Sequence, residues 1–207
     1  MSSTNRGGQR SPADFYRTPA WCVDRLMEAI DLPSGPEAWW LEPCAGEGDI
    51  IRAVNGYSPS PNWSVAEIRE ECRPALEALT NRVRIVDVLE GPQWRSFDVA
   101  ITNPPFSIAM EVLEGMQKWA DHVIILERLN FLGTEKRARV FRGCMPDIYV
   151  IPDRVSFTEN GKADSIEYAW FHWGPLSNRT GTCRILESTP LSERRITRKE
   201  EGEHGTR

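Results

Sequence analysis

Short apolar runs alternate with helical stripes along this chain, and that alternation predicts an α/β fold built on a largely parallel sheet. Val23, Leu26, Met27 and Ile30 share one face at helical spacing, so a helix is expected over residues 20–30. Thr18-Pro19 stands at its start and Pro33-Ser34-Gly35-Pro36 beyond its end. Ala38-Trp39-Trp40-Leu41 then reads as a buried strand, running through a glycine turn into a short helix over residues 49–54. The runs at 63–67, 83–86, 97–102 and 122–126 are too short for helices and read as further strands. Between them, helices are expected over 70–79 and 108–119, the latter with Val112, Met116 and Trp119 on one face. Runs at 148–151 and 166–173 form a late pair of strands around a polar Gly161-Lys162 turn, and 183–186 adds one more candidate.

With 207 residues the chain can bury one sizeable core without a second domain. Residues 1–13 are polar and rich in Gly and Ser and are expected as a disordered tail, 14–174 as the folded domain, and 175–207 as an extension with a charged tail from Ser192. No apolar stretch approaches bilayer length and the first residues carry no apolar segment, so neither a membrane nor export is expected. Five scattered cysteines without a Cys-x-x-Cys pair argue for reduced thiols, and with three histidines no metal is expected. The net charge of -5 divides unevenly: residues 1–127 hold 11 Lys+Arg against 19 Asp+Glu, residues 128–207 hold 14 against 11. A cationic surface is therefore sought after residue 127, where Arg128, Lys136, Arg137 and Arg139 are interleaved with Leu129, Phe131 and Leu132. The same segment also reads as a solvated amphipathic helix, with Glu135 and Arg139 spaced as an i, i+4 pair.

The chemistry concentrates at strand tips. Asn103-Pro104-Pro105-Phe106 follows the run Phe97 to Thr102, and two consecutive prolines fix φ and leave carbonyls free to accept hydrogen bonds. With the Asn103 amide oxygen, such acceptors could grip a planar amino group while Phe106 stacks on its ring; the string also reads as a Pro-Pro turn with a local Asn bond. Glu42-Pro43-Cys44-Ala45-Gly46-Glu47-Gly48 lies between strand and helix, with glycines where a ligand could approach the backbone closely. It lacks the spacing of dinucleotide and triphosphate loops. Glu67 and Asp87 end the next two strands, so three acids, Glu42 included, stand where open α/β sheets bind ligands, although each alone also reads as a loop or capping residue.

In this order the pieces resemble the S-adenosylmethionine (SAM) methyltransferases, above all the compact phage-type DNA adenine-N6 methyltransferases. The resemblance implies a seven-stranded sheet, mostly parallel with one antiparallel strand and closed by the late hairpin. It implies that Tyr16, Thr18 and Pro19 fold over the methionine end of SAM and that Glu42, Pro43, Cys44, Ala45, Gly46 and Gly48 form its loop. Glu67 with Ile68 would meet the ribose, Asp87 with Val88 the cofactor's adenine, and Asn103, Pro104, Pro105 and Phe106 the target base. The implied partner is nucleic acid, DNA before RNA, in the cytoplasm of a bacterial host. One departure is plain: the gap from Asp87 to Phe97 is too short for a target-recognition domain, which leaves recognition loose or lodged in residues 128–145 and the hairpin turn. An RNA adenine methyltransferase would carry the same loops, a protein-glutamine methyltransferase a similar Asn-Pro-Pro loop, and a binding module without catalysis would not need Asn103.

Overall fold

The computed structural model describes residues 17–57, 59–91, 93–157, 165–175 and 181–194. The expectations for residues 1–13, Tyr16, the Gly161-Lys162 turn and the tail from residue 195 lie outside them. The apolar runs become strands β1 (Trp39–Glu42), β2 (Asn62–Glu67), β3 (Val83–Ile85), β4 (Phe97–Thr102), β5 (Ala120–Arg128), β6 (Asp147–Ile151), β7 (Tyr168–Trp173) and β8 (Cys183–Ile185). The helices are α1 (Ala20–Ala29), α2 (Asp49–Val54), α3 (Arg73–Glu77), α4 (Ala109–Trp119) and α5 (Glu135–Phe141). All eight strands join one sheet in the order β3-β2-β1-β4-β5-β7-β6-β8. Only β7 runs antiparallel to its neighbours, pairing Ile125 with Phe171 on β5 and Ile148 with Phe171 on β6.

The seven strands that the resemblance implied are therefore eight. The extra strand exists because β6 would otherwise be a bare edge, and β8 pairs with it in parallel, Tyr149 opposite Arg184. Two aspartates fix that return: Asp147 accepts from Thr182 N and Oγ1 at 2.6 and 2.7 Å, and Asp153 takes Ser188 Oγ and Thr189 N at 2.7 and 2.6 Å. Arg194 closes on Asp153 at 2.7 Å, so the ordered chain extends past Ser192.

The central strands are buried on both faces, which is why their sequences are near-continuous apolar runs. Side chains alternate between two cores. One holds Trp40, Val65, Ile101 and Ile124 against α1 and α2; the other holds Leu41, Ala100 and Ile125 against α4. Trp170 and Trp173 are buried packing residues whose indole N–H groups donate to the Cys22 and Cys144 carbonyls at 2.9 and 3.0 Å. The crossover from β3 to β4 carries only a three-residue 3-10 turn, Val88–Glu90, so no helix of that connection covers the sheet beside β3.

Candidate active site

The carboxyl ends of β1 to β4 open into a cleft of about 720 Å³. Thr18, Glu42, Pro43, Cys44, Ala45 and Gly46 line one side, and Glu67, Ile68, Asp87, Val88, Asn103 and Pro105 complete the wall. Pro19 and Gly48 stand behind it as the residues preceding α1 and α2. The structure thus gathers into one space side chains that the sequence holds up to 87 positions apart.

The loop between β1 and α2 turns because Gly46 and Gly48 take φ of 55° and 85°, a left-handed region that other residues enter at a cost. Glu67 pins that loop. Its Oε2 accepts Gly46 N at 2.7 Å, and its Oε1 accepts Arg69 N and Nε at 3.0 and 2.8 Å. A carboxylate oxygen has two lone pairs, so Oε2 keeps one acceptor position. Arg69 was missed in the sequence, although its position two residues after a strand-terminal acid is the signal for such a pair.

Glu42 is the strained group of the site. It is 2% exposed, and its Oε2 has no hydrogen-bond partner. Burial, and then the charges of Asp49 and Glu67, push its carboxyl well above the usual range. A cationic ligand group arriving there would satisfy the oxygen and favour the carboxylate. Burial, with the charges of Glu67 and Glu42, drives the Cys44 thiol far upward, which disfavours the reactive thiolate.

The segment before α1 is clasped to the glycine loop by Arg17, which donates to both Asp49 carboxylate oxygens at 3.2 and 2.9 Å. That clasp, also unforeseen, places Thr18 beside the Asn-Pro-Pro turn, where Asn103 Nδ2 donates to Thr18 Oγ1 at 3.1 Å. With its NH2 so engaged, Asn103 presents Oδ1 as an acceptor that takes no hydrogen bond among the described residues. Asp87 Oδ1 accepts Leu89 N at 2.9 Å, capping the short turn that follows, and leaves Oδ2 to the cleft side.

Phe106 is not an open platform. The Arg128 guanidinium lies 4.4 Å from its ring centroid and Tyr168 is 6.1 Å away; Arg128 and Tyr168 face each other across β5 and β7. Arg137 also turns inward, over Phe131 at 4.3 Å with its NH1 donating to the Phe131 carbonyl at 3.0 Å. Arg139 pairs with Glu135 at 2.6 Å on the exposed face of α5, and Lys136 is exposed. Three of the four cations are thus engaged one by one, and Lys136 stands exposed beside them. Among the described residues no group of three or more His, Cys, Asp or Glu could hold a metal ion, and no helix is long and apolar enough to cross a membrane.

No family model matches the sequence, and no curated protein matches it. Solved structures do. The chain superposes on a 23S rRNA methyltransferase, ErmE, with a TM-score of 0.56 at 16% identity, over 80% of this chain and 71% of that one. It matches a dimethyladenosine transferase from Plasmodium falciparum with a TM-score of 0.53 at 12% identity, over 79% of its own length and 63% of that chain, and so spans less than two thirds of that protein. A putative RNA methyltransferase from Pyrococcus horikoshii gives 0.51 at 18% identity, over 79% and 87%. At these identities the likeness is one of architecture: the chain has the Rossmann-like α/β fold of the methyltransferases.

Proposed function

We propose that the chain is a SAM-dependent methyltransferase acting on N6 of adenine in nucleic acid, with RNA the favoured polymer. The observation that carries this reading is the Asn103–Thr18 bond, which ties the amide of a stiff Pro-Pro turn into the wall of a cleft suited to a cation. The resemblance stated above reads the same loop as a grip on a planar amino group. Bound SAM supplies a methyl group on positively charged sulfur. Glu42 would face its ammonium, Gly46 would admit close approach to the backbone, and Glu67 and Asp87 would accept from the ribose and adenine.

The amino group of adenine is a poor nucleophile because its lone pair is delocalised into the ring. Asn103 Oδ1 and the Pro104 carbonyl accept its two hydrogens, which favours a tetrahedral nitrogen and stabilises the positive charge that develops there. The nitrogen–carbon bond forms as the carbon–sulfur bond breaks, and the surplus proton leaves to water, since a neutral amide cannot be a base. The base stacks on Phe106 in place of the Arg128 guanidinium, which lies 4.4 Å from the ring centroid and must swing aside to admit it.

DNA was the polymer expected from the sequence. Three of the structural neighbours carry dimethyladenosine or RNA in their names and another carries precorrin-6y; none of these names DNA, and this moves the reading to RNA. Incubation with methyl-labelled SAM and separate RNA, DNA and protein pools, followed by digestion to nucleosides and amino acids, tests it. Label in N6-methyladenosine supports the reading; label in N6-methyldeoxyadenosine restores DNA; label in protein or nowhere removes it.

A further inference from the structure

The strongest unexplained charge lies in the acidic half of the chain, away from the cleft. Arg82 and Arg95 both set their guanidinium groups over the ring of Trp39, 4.3 and 3.4 Å from its centroid, and Arg84 covers Trp94 at 4.3 Å. With Ser64, Trp94 and Phe97 the three arginines line a groove on the sheet face beside β3. The missing helix of the β3 to β4 crossover leaves that face open.

Three features set the cluster apart from arginines that merely shield an indole. Among the described residues none of the three forms an ion pair. Arg84 NH1 donates to the Gln93 carbonyl at 2.9 Å, and Asp98, the carboxylate acting on Arg95, spends Oδ2 on Trp39 N at 2.7 Å. Trp94 adds a buried indole N–H with no hydrogen-bond partner. Among the described residues, three arginines gathered with Asp98 as the one carboxylate shown acting on them leave positive charge in excess, and a bound anion relieves it. The planar, weakly hydrated guanidinium is the side chain best suited to phosphate oxygens.

We propose that Arg82, Arg84 and Arg95 form a phosphodiester-binding groove that holds the nucleic-acid strand outside the cleft. Trp39, at the far end of β1, is three residues from Glu42 in the cleft, a separation of about 10 Å along the strand. A short stretch of nucleic acid covers that distance, so groove and cleft can hold one polymer. The choice of polyanion rests on the function proposed above; the groove itself does not.

Fluorescence anisotropy with a short oligouridylate and a short oligothymidylate, titrated over a range of salt, tests the groove, and neither probe contains adenine. Wild-type affinity should fall linearly with log salt, and Arg82→Gln/Arg84→Gln/Arg95→Gln should cut the slope by about 2, at roughly 0.7 per single-strand phosphate contact. Arg84→Gln alone should cut it by about 0.7 and serves if the triple variant does not fold. Arg184→Gln, exposed on β8 at the opposite edge of the sheet, should leave it unchanged. Equal loss with both probes assigns the groove to the phosphodiester chain, and loss with oligouridylate alone assigns it to RNA. A folded variant with the wild-type slope, or wild type that binds neither probe, overturns the proposal. Methyl transfer to adenine can fail without touching this result, and the groove can fail without touching methyl transfer.

Discussion

Asn103 and Thr18, 85 residues apart in sequence, meet through a 3.1 Å hydrogen bond from Asn103 Nδ2 to Thr18 Oγ1. The bond ties the amide of the Pro-Pro turn to the segment before α1, and with Nδ2 as its donor Oδ1 is left as an acceptor. Thr18→Val keeps the shape and deletes the acceptor. One hydrogen bond is worth about 0.5–1.5 kcal/mol, so methyl transfer should slow by roughly three- to tenfold. Isothermal titration should show SAM affinity changing less than the rate does.

Gly48 precedes α2 at φ of 85°, and a methyl group there would stand 2.5 Å from Leu79 Cδ1 and 3.3 Å from Leu76 Cδ2. Gly48→Ala therefore combines backbone strain with a forced shift of Leu79, and should cost about 1–3 kcal/mol in urea unfolding. Because the same turn shapes the cofactor loop, SAM affinity should fall as well.

His122 Nδ1 and His172 Nε2 lie 3.0 Å apart between β5 and β7, and His172 is 7% exposed. Burial, and then the neighbouring His122, lower the His172 imidazole to about 4 from the ordinary 6.5. A lowered histidine binds fewer protons folded than unfolded, so its contribution to stability is present above pH 6.5 and is lost as pH falls towards 4. Unfolding free energies measured across that interval should drop, by on the order of 3 kcal/mol if the whole shift is expressed. His172→Phe should flatten this part of the profile.

Glu127 gives the opposite slope. Burial pushes its carboxyl up to about 7 against the lowering effects of the Arg128 amide and the Arg137 and Arg128 charges, and its Oε1 has no hydrogen-bond partner. A raised carboxyl contributes stability that is present below pH 4.5 and is lost as pH rises through about 7. Glu127→Gln should therefore melt higher than wild type above pH 7, with no such advantage in acid.

The strands were legible because their apolar runs are buried on both faces, and the cleft because its acids and glycines sit at strand tips. What escaped was set by contacts between distant residues. The run at 183–186 was legible as a strand, but its place beside β6 depends on Asp147 and Asp153 catching a chain some 35 positions later, which no local pattern announces. Arg128 looked like a phosphate contact among other cations, whereas the pairing of β5 with β7 brings it over Phe106. Counting charge along the chain pointed to the segment after residue 127 and away from Arg82, Arg84 and Arg95. These cations gather only when the sheet brings β3, β1 and the start of β4 into one face.

The central claim is that Asn103 acts on the amino group and not on the cofactor or the fold. Asn103→Ala and wild type should be compared in one assay with methyl-labelled SAM and an adenine-containing oligonucleotide, beside SAM titrations and thermal melts. The account expects the same melting temperature and SAM affinity within a fewfold, with turnover lower by roughly a hundredfold or more, the scale for losing one acceptor in a transition state. An Asn103→Ala protein that melts like wild type and methylates adenine at the wild-type rate contradicts it.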